Sequence, residues 1–249
     1  MVAVNTFMET IRNKVLYNIL LVAAVALLLS LSFGDLSVFS RAQVMVDFGL
    51  ATMSLTGLLL AVFIGVGLLG VELSTRTVYG VLSRPVSRAD FLVGKYCGLC
   101  ATLLLNFVLI ATLFFVSVCL MGVTTRIEVL YAVLLLSVEM ALVVAASMFF
   151  STFTTPTLAA IFTIGFYVAG HLNDLVNIGV EQQRNPVWRT LLQVLSYLLP
   201  NLEYFNIRTR VVYGLAIPDR FVMEATTYGM LYIALLMLLA IAVFDRKDL

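Results

Sequence analysis

Repeated apolar runs, each about as long as a bilayer-crossing helix, constrain this chain more than any other feature. A hydrocarbon core about 30 Å thick takes about 20 helical residues at 1.5 Å rise each. Runs of that kind fall at residues 15–33, 48–70, 96–122, 129–150, 157–170 and 226–244. The fifth is short and is divided from the fourth only by "STFTTPT" around Pro156. A proline and five hydroxyl residues suit a tight turn between antiparallel spans, whereas one helix through both runs would overshoot any bilayer. With 62% hydrophobic residues and 12% charged ones, the chain is too apolar for a soluble domain. The expected fold is all-α and polytopic, a single domain over residues 1–249 with six transmembrane helices. Glu9, Arg12 and Lys14 precede the first run, which ends without an obvious small-residue cleavage site, so it reads as a retained span.

Charge sets the orientation and excludes one class of partner. A net charge of +1 argues against nucleic acid, which needs clustered, uncompensated Lys and Arg. With both termini cytoplasmic, eight Lys and Arg fall inside and seven outside; five of those seven lie in residues 171–225, where five acidic residues match them. All three lysines, Lys14, Lys95 and Lys247, also fall inside. Residues 171–225 form the long polar segment, with Trp188, Leu191, Leu192, Leu195, Leu198 and Leu199 at the spacing of an interfacial helix that Pro200 stops. A second short helix is expected from Arg208 to Tyr213, broken by Gly214 and Pro218.

Six charged residues concentrate in "VELSTRTVYGVLSRPVSRADFLVGK", Val71 to Lys95, the large loop between spans two and three. Its first half has a helical pattern with Val71, Val78, Val81 and Leu82 on one face, and Pro85 ends that helix. Ser87 is placed to cap the helix that enters span three. Charge alone is equally consistent with ordinary positive-inside anchoring.

The order of these residues carries more. Glu72, the Arg76-Thr77 pair, Leu82, "RPVSR" from Arg84 to Arg88 and "FLVGK" from Phe91 to Lys95 together resemble the signature of ABC-2 type transporter permeases, in the NosY-like and related bacterial subgroups. "YLLPNLEYFN" (Tyr197 to Asn206) and the terminal "FDRKDL" extend the resemblance over most of the chain. The resemblance implies a permease subunit that pairs with a second copy of itself and with two copies of a separate ATP-binding cassette subunit. It implies export across a bacterial inner membrane, with ATP and Mg held by the partner and no cofactor or metal in this chain. It also implies a coupling helix between spans two and three, where Glu72, Arg76, Arg84, Pro85 and Arg88 meet the ATPase, and outer interfacial helices between spans five and six that gate the exit. The sequence itself lacks a P-loop: before Gly94-Lys95, Ala89 stands where the first glycine belongs, and Tyr96 replaces the hydroxyl residue.

Asn106 and Glu139 stand about ten residues into spans three and four and are candidates for the substrate pathway, since ionisable or strongly polar groups at that depth are costly. The structural alternative is helix–helix glue. Cys97 and Cys100 read as C-x-x-C, yet they open an apolar helix beside a Gly94/Gly98 G-x-x-x-G face suited to close helix contact, which argues against a metal or redox site. Gly65, Gly67 and Gly70 in span two likewise suit packing against a partner, and His171 reads as a boundary residue. Two other functions remain open: a channel or scaffold in membrane lipid without ATPase coupling, and an intramembrane enzyme. The latter lacks H-E-x-x-H and G-x-S-x-G motifs and has one histidine to serve as a base.

Overall fold

A computed structural model describes residues 2–36, 41–74, 87–120, 122, 127–173, 178, 185, 187–190, 193 and 199–246. Within them the chain is helical, with no strand. Helices α1 (Val2–Ile11), α2 (Lys14–Leu36), α3 (Arg41–Ser74), α4 (Arg88–Leu120), α5 (Glu128–Phe153) and α6 (Pro156–His171) are followed by a 3₁₀ turn (Leu202–Phe205), a short α7 (Arg208–Val212) and α8 (Asp219–Asp245).

Among the described residues, four stretches are long and apolar enough to cross a membrane: Ala42–Gly67, Arg88–Leu120, Glu128–Phe153 and Arg220–Asp245. A fifth arises if the pair Val2–Ile11 and Leu16–Leu28, bent by 57°, counts as one. Of the six expected spans, four pass by length and composition, or five with the bent pair; α6, over the fifth run, is a helix whose 16 residues rise about 24 Å. A Cβ added at Gly170 would lie 2.6 Å from Leu202 and 3.1 Å from the Pro200 carbonyl, so the chain around the 3₁₀ turn closes directly over the end of α6. The rest of that wall is supplied by residues about thirty positions later.

α3 and α5 form the centre, with α2, α4, α6 and α8 around them. Buried side chains from all of these helices make one apolar cluster, including Met53, Leu60, Phe107, Leu135, Met140 and Phe244. Buried hydroxyls inside it bond back to their own helix, Thr102 Oγ1 to the Gly98 carbonyl at 3.0 Å and Thr163 Oγ1 to Ala159 at 2.7 Å. Such groups need no external partner, which lets them sit in a dry interior. The turn after α5 is as tight as the sequence suggests. Thr154 and Thr155 are extended and Pro156 opens α6, where its missing N–H is no loss.

The N-terminal flank is not a simple lead-in to the first span. α1 is a separate helix lying on α4, with Gly94 and Gly98 receiving it. A Cβ at Gly98 would lie 2.6 Å from the Ala3 carbonyl and 2.7 Å from Thr6 Cβ. The G-x-x-x-G face thus accepts a helix of the same chain. Gly65 does likewise, meeting Ser147 of α5, while Gly67 faces open space.

Several local expectations can be placed. Ser87 Oγ accepts the Asp90 N–H at 3.0 Å and donates to its carboxylate at 2.7 Å, capping α4. α7 spans Arg208–Val212, Gly214 turns the chain at φ +66°, and Pro218 precedes α8. Residues 187–190 are helical; Leu191, Leu192, Leu195 and Leu198, the rest of the expected interfacial face before Leu199, lie outside the described residues.

Candidate functional site

Glu139 is the side chain around which a site forms. It stands on α5, 11 residues after Glu128 and 14 before Phe153, and its carboxylate is only 1% exposed. Burying such a group in an apolar bundle without a partner is costly. One of its oxygens, Oε1, has no hydrogen bond. His171 Nε2 lies 3.4 Å from that oxygen, at ion-pair distance but without hydrogen-bond alignment.

The pairing follows from the turn between α5 and α6. Glu139 and His171 are each sixteen residues from Thr155, so an antiparallel hairpin folded there brings them to one height. That symmetry is the signal by which the sequence could have revealed His171 as a partner rather than a boundary residue. The His171 Nδ1 lies 3.2 Å from the Tyr167 carbonyl one turn earlier. A carbonyl only accepts, so Nδ1 carries the proton in that contact.

Around this pair is a cavity of about 190 Å³. α3 contributes Leu50 and Ser54, α5 Ala132, Leu136 and Glu139, and α6 Tyr167 and His171. Phe205 through Arg208 close its remaining side. Ser54 Oγ and the Tyr167 hydroxyl lie 3.2 Å apart and tie α3 to α6. Arg208 is held by Asp47 of α3 through both carboxylate oxygens, Nη2 donating to Oδ2 at 2.7 Å, so its charge is matched locally. Asn206 donates its amide to Glu203 at 3.0 Å. The segment from 202 to 212 is therefore pinned to α3 by the Arg208–Asp47 pair, and its residues 205–208 form one wall of the cavity.

Asn106 does not join this site. It is fully buried on α4, and its amide nitrogen donates to the Thr102 carbonyl of its own helix at 2.9 Å. Its oxygen is unbonded, but Asn106 is not among the cavity residues. The two intramembrane candidates are thus separate features. Cys97, Cys100 and Cys119 are free thiols, and no three acidic, histidine or cysteine side chains among the described residues converge as metal ligands.

At the other end of the bundle lies the charged stretch. Arg76, Arg84 and Pro85 lie outside the described residues, and Glu72 falls in the last helical turn of α3. Arg88 can be placed. Its guanidinium donates to the carbonyls of Phe244 and Asp245 at 3.2 and 3.1 Å and sits 5.9 Å from the Phe244 ring. The start of α4 thereby caps the end of α8, where carbonyls lack helical partners. Lys95, only 4% exposed, lies 4.0 Å from Glu9 of α1 and 5.8 Å from the Phe91 ring. Helices α1, α4 and α8 are thus joined at the start of α4.

A family model described as "ABC-2 family transporter protein" matches residues 10–249, nearly the whole chain. The chain belongs to the ABC-2 transporter family. Comparison with curated proteins gives no match. This ABC-2 protein is a multi-pass membrane protein and a permease subunit of an ABC transporter, a role that is generally non-enzymatic. In the ABC-2 permease, the cavity is lined by the first half of α3, and the charged stretch begins in that helix's last turn. Ser54 and Ser74 are 20 residues apart on that helix, roughly 30 Å at 1.5 Å per residue.

Proposed function

We propose that this permease subunit exports its cargo across a bacterial inner membrane, driven by ATP hydrolysis in two copies of a separate ATP-binding subunit that hold ATP and Mg. The 71–95 segment is the docking element, with Glu72, Arg76, Arg84 and Pro85 meeting the ATPase and both termini on the same cytoplasmic side. Arg88 belongs to the same element but acts inward. The observation that carries this reading is the Arg88 clamp: a push on the docking segment is transmitted at once to α4 and, through the Phe244 and Asp245 carbonyls, to α8. Closure of the ATPase dimer then favours one arrangement of the spans through differential contacts, and packed helices follow as rigid bodies.

A second copy of the permease completes the pathway. Only 33% of the apolar window is buried in each of α4 and α8, against 67% in α3, so both present broad apolar faces to lipid and to another copy. The cavity at Glu139 is the cargo contact within each copy, and the 202–212 segment is its outer gate.

Co-purification with the ATP-binding subunit encoded beside this chain tests the reading. Arg76→Glu with Arg84→Glu is expected to dissociate the complex. Arg88→Ala is expected to leave the complex intact while hydrolysis continues without transport. A folded chain that captures no ATPase would support a channel or scaffold instead.

A further inference from the structure

The oxygen of Glu139 and the ring nitrogen of His171 pose a chemical problem together. With the His171 Nδ1 proton committed to the Tyr167 carbonyl, a neutral ring presents a lone pair at Nε2. That lone pair sits 3.4 Å from the unbonded Oε1 of Glu139, an acceptor facing an acceptor. A proton shared within the pair would relieve this; a positively charged N–H donor beside the two relieves it while leaving both groups as acceptors. Arg208, the arginine on the cavity wall, is occupied by Asp47.

We propose that this cavity binds the protonated amine of an organic cargo, with Glu139 as its counter-charge. The proposal names the cargo class for the permease reading above and rests on it only in calling the ligand cargo. An alkylammonium head has three N–H donors. Glu139, His171 and the hydroxyl pair of Ser54 and Tyr167 line one space and carry acceptors of the required kind. The rings of Tyr167 and Phe205 line the same cavity and favour a cation over a neutral group. Leu50, Ala132 and Leu136 complete an apolar wall for the carbon chain. A divalent metal fits poorly, since it takes several oxygen or nitrogen ligands and no such convergence exists among the described residues. A volume of about 190 Å³ holds a short-chain amine.

The test uses the full-length permease in phosphatidylcholine nanodiscs at neutral pH, without any ATPase. Hexylammonium chloride is the probe, hexanol its uncharged analogue, and saturation-transfer NMR the readout. Wild type is expected to bind hexylammonium saturably and at least about tenfold more tightly than hexanol, which is one full charge-assisted bond. Glu139→Gln is expected to lower hexylammonium binding about tenfold and to leave hexanol unchanged. His171→Lys places a tethered ammonium beside Glu139 and is expected to block the probe. Equal hexylammonium binding by wild type and by Glu139→Gln with unaltered elution and thermal midpoint would overturn the proposal. So would equal binding of hexanol. Should Glu139→Gln fail to fold, unblocked binding by His171→Lys overturns it alone. Loss of amine binding with the ATPase complex intact removes only the cargo class; amine binding without ATPase capture removes only the ATP-driven reading.

Discussion

Arg208 and Asp47, separated by 161 positions in the chain, meet fork to fork and fasten the segment after the 3₁₀ turn to the first half of α3. Both side chains are about 40% exposed, so the pair is screened and contributes little to global stability, about 0.5–1 kcal/mol. Its role is local registration, because a guanidinium presents two parallel donors where a lysine offers a point charge. Arg208→Lys is therefore expected to leave the thermal midpoint within a few degrees and to raise hydrogen exchange through residues 202–213. Unchanged exchange there would show that apolar packing alone holds the segment.

Gly98 tests the seat of α1. A side chain there meets a backbone carbonyl, which cannot rotate away, whereas at Gly94 the nearest contact is the Val2 side chain. Gly98→Val is expected to lift α1 from α4, costing about 1–3 kcal/mol, and Gly94→Ala to cost less. Hydrogen exchange over residues 2–11 and the thermal midpoint report both.

Gly65 and Ser147 offer a double-mutant cycle. A Cβ at Gly65 would fall 1.9 Å from Ser147 Oγ and 3.0 Å from its Cβ. Gly65→Ala alone is expected to destabilise by about 1–3 kcal/mol. Adding Ser147→Ala removes the worse contact and recovers part of that loss, because the Ser147 hydroxyl bonds only locally, to the Val144 carbonyl. Strict additivity would mean that α3 and α5 separate rather than repack.

Arg88 predicts an effect at the far end of the sequence. Arg88→Ala removes the side-chain donor from the Asp245 carbonyl and leaves the Phe244 carbonyl with the Arg246 N–H, at an expected cost of about 1–2 kcal/mol, and Arg88→Lys is expected to recover less than half. The amides of residues 242–246 are the ones to follow by exchange; protection equal to wild type would detach α8 from the docking element.

Much of the architecture was readable from hydropathy, since bilayer length and proline placement fix where α5 stops and α6 starts. Ser87, Gly214 and Pro218 were readable too, because capping and turn chemistry act within a few residues. α1 escaped because the side chains it buries are Thr6 and Thr10, so its contact face carries no apolar stripe. For the site, Glu139 announced itself by cost, but its neighbours did not. His171 becomes its partner through the geometry of a hairpin, and Arg208 reaches Asp47 through a long-range return of the chain, neither of which a periodicity records. Asn106 looked equivalent to Glu139 by depth alone and is turned to its own helix instead.

The abrupt end of α6 has a mechanical meaning of its own. A full-length helix in that place would have to tilt or unwind before a passage could form, breaking backbone hydrogen bonds in an environment with no water to replace them. Here the wall is a butt joint, with Gly170 abutting Leu202 and two separate pieces of chain meeting edge to edge. Such a joint can part along its line while every helix keeps its own bonds, like a door hung beside a post rather than cut through a beam.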